Sequence, residues 1–238
     1  MTTDPLLLTG EVDDATARLL ATAETLDATA VAAPSLLPGW TRGHVLAHLA
    51  RNADGLRNLL TAARTGEDVP MYADPAARTA DIEAGAARPP AEHLADLRRS
   101  AARFVDAVAA MPVPAWAATV RTHRGPMVAA RLVWARLREV EVHHVDLAAG
   151  YRPADWPPAF GHRLLHEVAA DLAGRSDVPA LVLRFDGSRH ELTVGEPAGA
   201  PVVAGPAPEL AAWLIGRADG RVLTVTPHGP LPTPPEWI

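Results

Sequence analysis

Through the first 150 residues, apolar side chains recur at three- and four-residue intervals in four stretches, the spacing of one face of an α-helix. They predict helices over 11–31, over 42–65, from Pro89 to about Met111, and from Met127 to Ala149. Pro34-Ser-Leu-Leu-Pro-Gly39 separates the first two, Thr41 stands as N-cap of the second, Thr65-Gly66 closes it, and Gly150 stops the fourth. Residues 67–88 read as polar loop with room for a short helix, and Pro112–Pro126 as irregular. Four long amphipathic helices predict a four-helix bundle whose neighbour order is open.

The pattern changes at Tyr151-Arg-Pro-Ala-Asp-Trp-Pro-Pro158, a proline-rich linker that divides the chain into 1–152 and 158–238. The second part is predicted as a helix over 158–174, a strand over 180–187, and a hairpin partner in His190-Glu-Leu-Thr-Val. A helix from Pro208, a last strand over 221–226 and a proline-rich coil over 227–238 complete it. The expected fold is α with a small α+β domain: a helix bundle followed by a C-terminal α+β unit.

Composition narrows the chemistry. With 48% hydrophobic residues in 238, the chain buries an ample core. A net charge of -6 without a basic stripe argues against nucleic acid. The first ten residues have no basic leader, and no apolar run approaches the roughly 20 residues that cross a bilayer. A cytoplasmic monomer is the expectation. There are no cysteines, so any metal is held by His, Asp or Glu and any thiol comes from a cofactor.

One segment concentrates such ligands, Arg138-Glu-Val-Glu-Val-His-His-Val-Asp-Leu147. At about 100° per residue, Leu132 and Val128 fall within about 20° of Glu139, and His143 within about 40°. Glu139 and His143 are therefore predicted to face the core one turn apart, Glu141 to face water, and His144 to lie between. Asp146 lies in line with Glu139 two turns on, either supporting a ligand or filling the helix end. A buried carboxylate beside a buried imidazole is either a hydrogen-bonded core pair or a metal or catalytic pair, since an unpaired inward charge costs several kcal/mol.

In the second helix His48 borders the stripe of Val45, Leu49, Leu56, Leu59 and Leu60, while His44 lies nearer solvent. His48, Glu139 and His143 then supply two imidazoles and a carboxylate, the ligand count of a zinc site with one open position; iron or nickel fits the same ligands. His162 and His166, also one turn apart, point away from their own stripe and read as surface. Trp40, Trp134 and Trp213 read as packing groups, Asn52 as cavity or surface, and Arg136 as a substrate contact or a carboxylate partner.

With these residues in view, the chain resembles the mycothiol-dependent maleylpyruvate isomerases, within the DinB-like metal-binding four-helix bundles. The resemblance rests on Gly39-Trp-Thr-Arg-Gly-His-Val-Leu-Ala-His-Leu-Ala-Arg-Asn-Ala53, on Arg138 to Tyr151, and on Trp213-Leu-Ile-Gly-Arg217. It implies a DinB-like bundle with zinc on His48, Glu139 and His143, and a catalytic arginine at Arg217 from the C-terminal domain. It also implies mycothiol as cofactor and a small dianionic substrate, maleylpyruvate from gentisate breakdown. Reversible thiolate addition to the cis double bond would give fumarylpyruvate. A mycothiol S-transferase and a non-catalytic metal-binding module are the alternatives that share such a site.

Overall fold

Asp4 accepts a hydrogen bond from the backbone N–H of Leu6, and Pro5 takes the first turn of α1 (Pro5–Glu24). This cap and proline start the helix earlier than its apolar periodicity suggests. It also ends sooner than predicted, and Asp27 caps a separate short helix, α2 (Ala28–Ala32). The computed structural model describes residues 4–122, 125–233 and 237, in two compact units, Met1–Gly150 and Tyr151–Ile238. The first residues of the leader reading (1–3), positions 123 and 124 of the segment read as irregular, and positions 234–236 and 238 of the predicted coil lie outside the described residues.

Helix α3 (Arg42–Thr65) has the predicted bounds, with Thr41 in a capping box and Gly66 in the left-handed region at φ 76°. Residues read as loop instead contain a full helix, α4 (Pro75–Ala86), whose start is marked by the cap Asp74 and Pro75. Helix α5 (Pro90–Ala109) follows, then a two-stranded antiparallel hairpin, β1 (Thr119–Thr122) with β2 (Gly125–Val128). The hairpin replaces the predicted irregular stretch and the predicted start of the fourth helix. Pro126 misleads the sequence reading here, because a two-stranded ribbon has an open edge where a missing N–H costs nothing. Helix α6 is accordingly shorter than expected, Arg131–Asp146, and Val128 sits exposed on β2 instead of on an inner helical face.

Helices α1, α3, α5 and α6 form the bundle. α3 packs against α5 and α6, and α1 packs against the same two, so α1 and α3 stand on opposite corners. α1 buries Leu8, Val12, Ala15, Leu19 and Ala23, a continuous one-sided stripe. α3 and α5 are tied by ion pairs: Asp96 accepts from Arg51 at 2.9 Å and Asp54 from Arg103 at 2.6 Å, and Arg88, in the connection before α5, donates to Asp96 at 3.0 Å.

α4 crosses α3 at a distance that excludes side chains. A Cβ on Gly43 would stand 2.1 Å from the carbonyl oxygen of Ala86, and one on Gly85 2.9 Å from Cβ of Ala47. This close approach lays α4 along the His48 turn of α3.

In the second unit, α7 (Pro158–Ala173) and α8 (Ala207–Leu214) pack together over a four-stranded sheet. The strands are β3 (Leu181–Phe185), β4 (Glu191–Val194), β5 (Val202–Gly205) and β6 (Thr224–Thr226), ordered β4-β3-β5-β6. β3 runs antiparallel to β4 and parallel to β5, and β6 is antiparallel to β5. β5 has no counterpart in the sequence reading, although Val202-Val-Ala-Gly205 is an apolar run bounded by Pro201 and Pro206. The proline-rich linker is itself packed: Trp156 is buried and its ring meets Phe160 at 5.2 Å.

Candidate metal centre

The segment around the second helix start is built to bring α3 and α6 together. Thr41 caps the backbone N–H of His44, and His44 Nδ1 accepts the Thr41 N–H at 3.2 Å in return, while its Nε2 meets Glu83 at 3.2 Å. His44 is thus spent on capping and on α4, in keeping with its predicted place outside the ligand set. The Arg42 guanidinium donates to the carbonyls of Leu147, Ala148 and Ala30, and so clamps the carbonyl end of α6 to the start of α3. Arg136, wholly buried, fixes the two helices further along, donating to the Leu49 carbonyl and to Asn52 Oδ1, both at 2.9 Å. Burial lowers its guanidinium to about 10, opposed by the negative charge of Glu139.

Between these two clamps His48, Glu139 and His143 converge. One ligand atom from each lies within 4.8 Å of the others, and among the described residues this is the one group of three or more His, Asp or Glu side chains so placed. Glu139 Oε2 is shared, 3.0 Å from His48 Nε2 and 3.4 Å from His143 Nε2. The two imidazoles meet edge-on with centroids 4.6 Å apart. His143 Nδ1 is held by the fully buried carboxylate of Asp146 at 2.8 Å, which leaves Nε2 directed at the site. Of the two roles open to Asp146 in the sequence, support of His143 is the one observed.

The electrostatics follow from these contacts. Burial drives His48 down to about 4, against the pull of Glu139, so the ring is neutral at neutral pH. Burial also opposes a charge on His143, but hydrogen bonds to Asp146 and Glu139 and their negative charges outweigh it and push the imidazole up to about 9. Burial alone would lift Glu139, yet its hydrogen bonds with His143 and His48 hold it well below the usual carboxylate range. Two imidazole nitrogens and an ionised carboxylate, with a hydrogen-bonded carboxylate behind one imidazole, fit a divalent cation in donor type and in number.

Other sequence-predicted residues fall elsewhere. Glu141, expected to face water, is 1% exposed and pairs with Arg18 of α1 at 2.7 Å. His144 is equally buried, its Nε2 2.8 Å from the Thr22 hydroxyl. A single apolar stripe assumes one packed face, whereas α6 is packed by α1 on one side and α3 on the other. Arg217, in the second unit, donates from Nη1 to the Ile215 carbonyl at 2.8 Å, just past the end of α8. His162 and His166 are half-covered by the Phe185 ring, at 5.4 and 5.9 Å, and belong to no ligand cluster among the described residues. Trp134 and Trp213 are packing groups, but Trp40 is half-exposed with its ring 5.6 Å from His48.

The sequence reading misses Arg78 and Tyr72. Arg78 Nη2 donates to His48 Nδ1 at 3.1 Å, and its guanidinium carbon stands 5.6 Å from the centre of the Tyr72 ring. Burial raises the Tyr72 hydroxyl, against the positive charge of Arg78, and keeps it protonated. The available signal was the Asp74-Pro75 helix start, which puts Arg78 one turn before the buried Ile82.

Residues 12–148 match the family described as mycothiol maleylpyruvate isomerase N-terminal domain, and residues 155–236 match the C-terminal domain of the same family. The chain belongs to the mycothiol-dependent maleylpyruvate isomerase family. Two crystal structures, of the mycothiol-dependent maleylpyruvate isomerase and of a histidine-to-alanine mutant of it, are each 30% identical to this family member. Both are covered over 100% of each chain with a TM-score of 0.91. No curated protein sequence matches it. Within this family member no described helix is long and apolar enough to cross a membrane.

Proposed function

We propose that the chain is a zinc- and mycothiol-dependent cis–trans isomerase that converts maleylpyruvate, a ring-cleavage product of gentisate, into fumarylpyruvate. The observation that carries this reading is the convergence of His48, Glu139 and His143 on one point, in a member of a family named for that reaction. A cation held there would supply acidity, keeping a thiol as its thiolate near neutral pH, the form that adds to a cis double bond and, after rotation about the resulting single bond, leaves again to give the trans isomer.

The chain's own residues do the rest. His48 is neutral and Glu139 ionised, so both are ready as donors, and Asp146 fixes the His143 ring with Nε2 forward. Trp40 and Tyr72 bring ring surface to the trio's surroundings, and apolar cover strengthens every charge interaction inside. We also assign Arg217 to the substrate, as the family resemblance implies. A guanidinium binds a carboxylate through two parallel hydrogen bonds and stabilises the enolate that addition creates.

The test is turnover of maleylpyruvate by zinc-loaded protein with mycothiol. Fumarylpyruvate formed with thiol needed only catalytically supports the isomerase. Stoichiometric consumption of thiol supports an S-transferase instead, and no turnover of maleylpyruvate or of any other electrophile by fully loaded protein favours a binding module.

A further inference from the structure

Four arginines around the bundle pair with carboxylates: Arg18 with Glu141, Arg51 and Arg88 with Asp96, and Arg103 with Asp54. Arg42 and Arg136 instead spend their N–H groups on backbone carbonyls and on Asn52. Arg78 is different. It is half-buried on α4, and its contacts among the described residues are the imidazole of His48 and the hydroxyl and ring of Tyr72. Neither carries the opposite charge. A guanidinium partly removed from water without a counter-ion is held at a cost, and the neighbouring residues do not supply that ion.

The hydrogen bond to His48 is also conditional. Arg78 can donate to Nδ1 only while that nitrogen carries the lone pair, with the ring hydrogen on Nε2 facing Glu139. When Nε2 gives its lone pair to a cation, the hydrogen resides on Nδ1, and two donors then face each other. Loading of the trio therefore frees Arg78, which keeps its place beside the site through α4 and the Tyr72 ring.

We propose that Arg78 is the anion-binding residue of the bundle, holding one carboxylate of a small cis-dicarboxylate substrate beside His48, Glu139 and His143. The assignment rests on the isomerase reading for the identity of the substrate, and it adds a residue of the first unit to that reading. Arg78 is suited to the task by charge and shape: its five N–H donors form a planar fork that matches a carboxylate, and the Tyr72 face beneath orients the plane.

Two variants separate the charge from the fork: R78Q keeps a polar side chain and loses the charge, while R78K keeps the charge and loses the planar fork. The zinc-loaded proteins are titrated calorimetrically with maleate, and bound zinc is measured in parallel. R78Q is expected to bind maleate about tenfold to a hundredfold more weakly than wild type, the range for loss of a charged hydrogen bond. R78K is expected to stay within about tenfold, because the fork is lost but not the charge, and both keep wild-type zinc.

Wild-type affinity in R78Q, or recovery by R78Q and not by R78K, would overturn the proposal and leave Arg78 as a support for His48. Loss of zinc from both variants, or no maleate binding by the wild type, overturns it as well. Turnover of maleylpyruvate is followed in the same preparations. Arg78-dependent maleate binding without turnover sinks the isomerase reading alone, and full turnover with an unchanged KM in R78Q sinks this one alone.

Discussion

Helix α6 carries two carboxylate–imidazole pairs that look alike in the sequence and differ in their surroundings. On one face Glu141 meets Arg18 at 2.7 Å and His144 meets Thr22 at 2.8 Å, both across the contact with α1. On the other, Glu139 Oε2 is shared between His48 at 3.0 Å and His143 at 3.4 Å. The first face has distributed its polar groups among separate partners and is closed, with Glu141 1% exposed. The second directs three ligand atoms at one point, and the Glu139 side chain keeps 22% exposure. Burial alone does not distinguish a functional polar group from a structural one. Convergence does, because polar groups aimed at different partners leave no common point, while a shared acceptor has room for a cation in place of the two hydrogens that point at it.

The largest effect that would break this comparison is loss of metal. His48→Ala removes one of three donors and is expected to weaken metal binding by more than about a hundredfold, beyond what loss of a supporting partner costs. Bound metal measured at wild-type stoichiometry in that variant would show that the trio is not the site. The matching change on the other face, Glu141→Gln, is expected to leave metal content untouched.

Proton competition comes next. His143 is pushed up to about 9 and is protonated at neutral pH, whereas His48, near 4, is not. Binding a cation expels one proton between those values, so affinity should rise about tenfold per pH unit from about 4 to about 9 and then level off. Calorimetric titrations at several pH values check this, and a flat profile would show that His143 is not a ligand.

Asp146→Asn removes the charge behind His143 and should cost about tenfold to a hundredfold in metal affinity, read by competition with a chelating dye. The smallest effect belongs to the closed face. Glu141→Gln should lower stability by about 1–3 kcal/mol, because Arg18 loses its ion-pair partner while staying partly in water. Denaturant unfolding measures it, and a loss of metal affinity with unchanged stability would invert the comparison.

Much of this was legible in the chain. The 42–65 helix declares itself through Thr41 and Gly66, and Glu139 and His143 sit four residues apart on one helix whatever packs against it. Glu141 was misread because angular position relates a side chain to its own helix and not to the number of neighbours that helix has. Val128 entered the same arithmetic from outside the helix, on β2. Arg78 and Tyr72 escaped because their segment is polar and short in apolar periodicity, so α4 is set by a cap and by the close approach of Gly43 and Gly85 to Ala86 and Ala47.

By itself, then, the sequence determined the local elements with strong caps and periods, the exclusion of cysteine chemistry, and the spacing that joins Glu139 to His143. These depend on backbone sterics and on the fixed turn of a helix. Only the tertiary structure decided that α1 closes one face of α6, and that His48, 91 residues from Glu139, points its Nε2 at that carboxylate. It alone brings Arg78 onto the far side of the same ring. Those placements come from helices packing across long loops, where the choice of neighbour is set by the whole core and not by any stretch of chain.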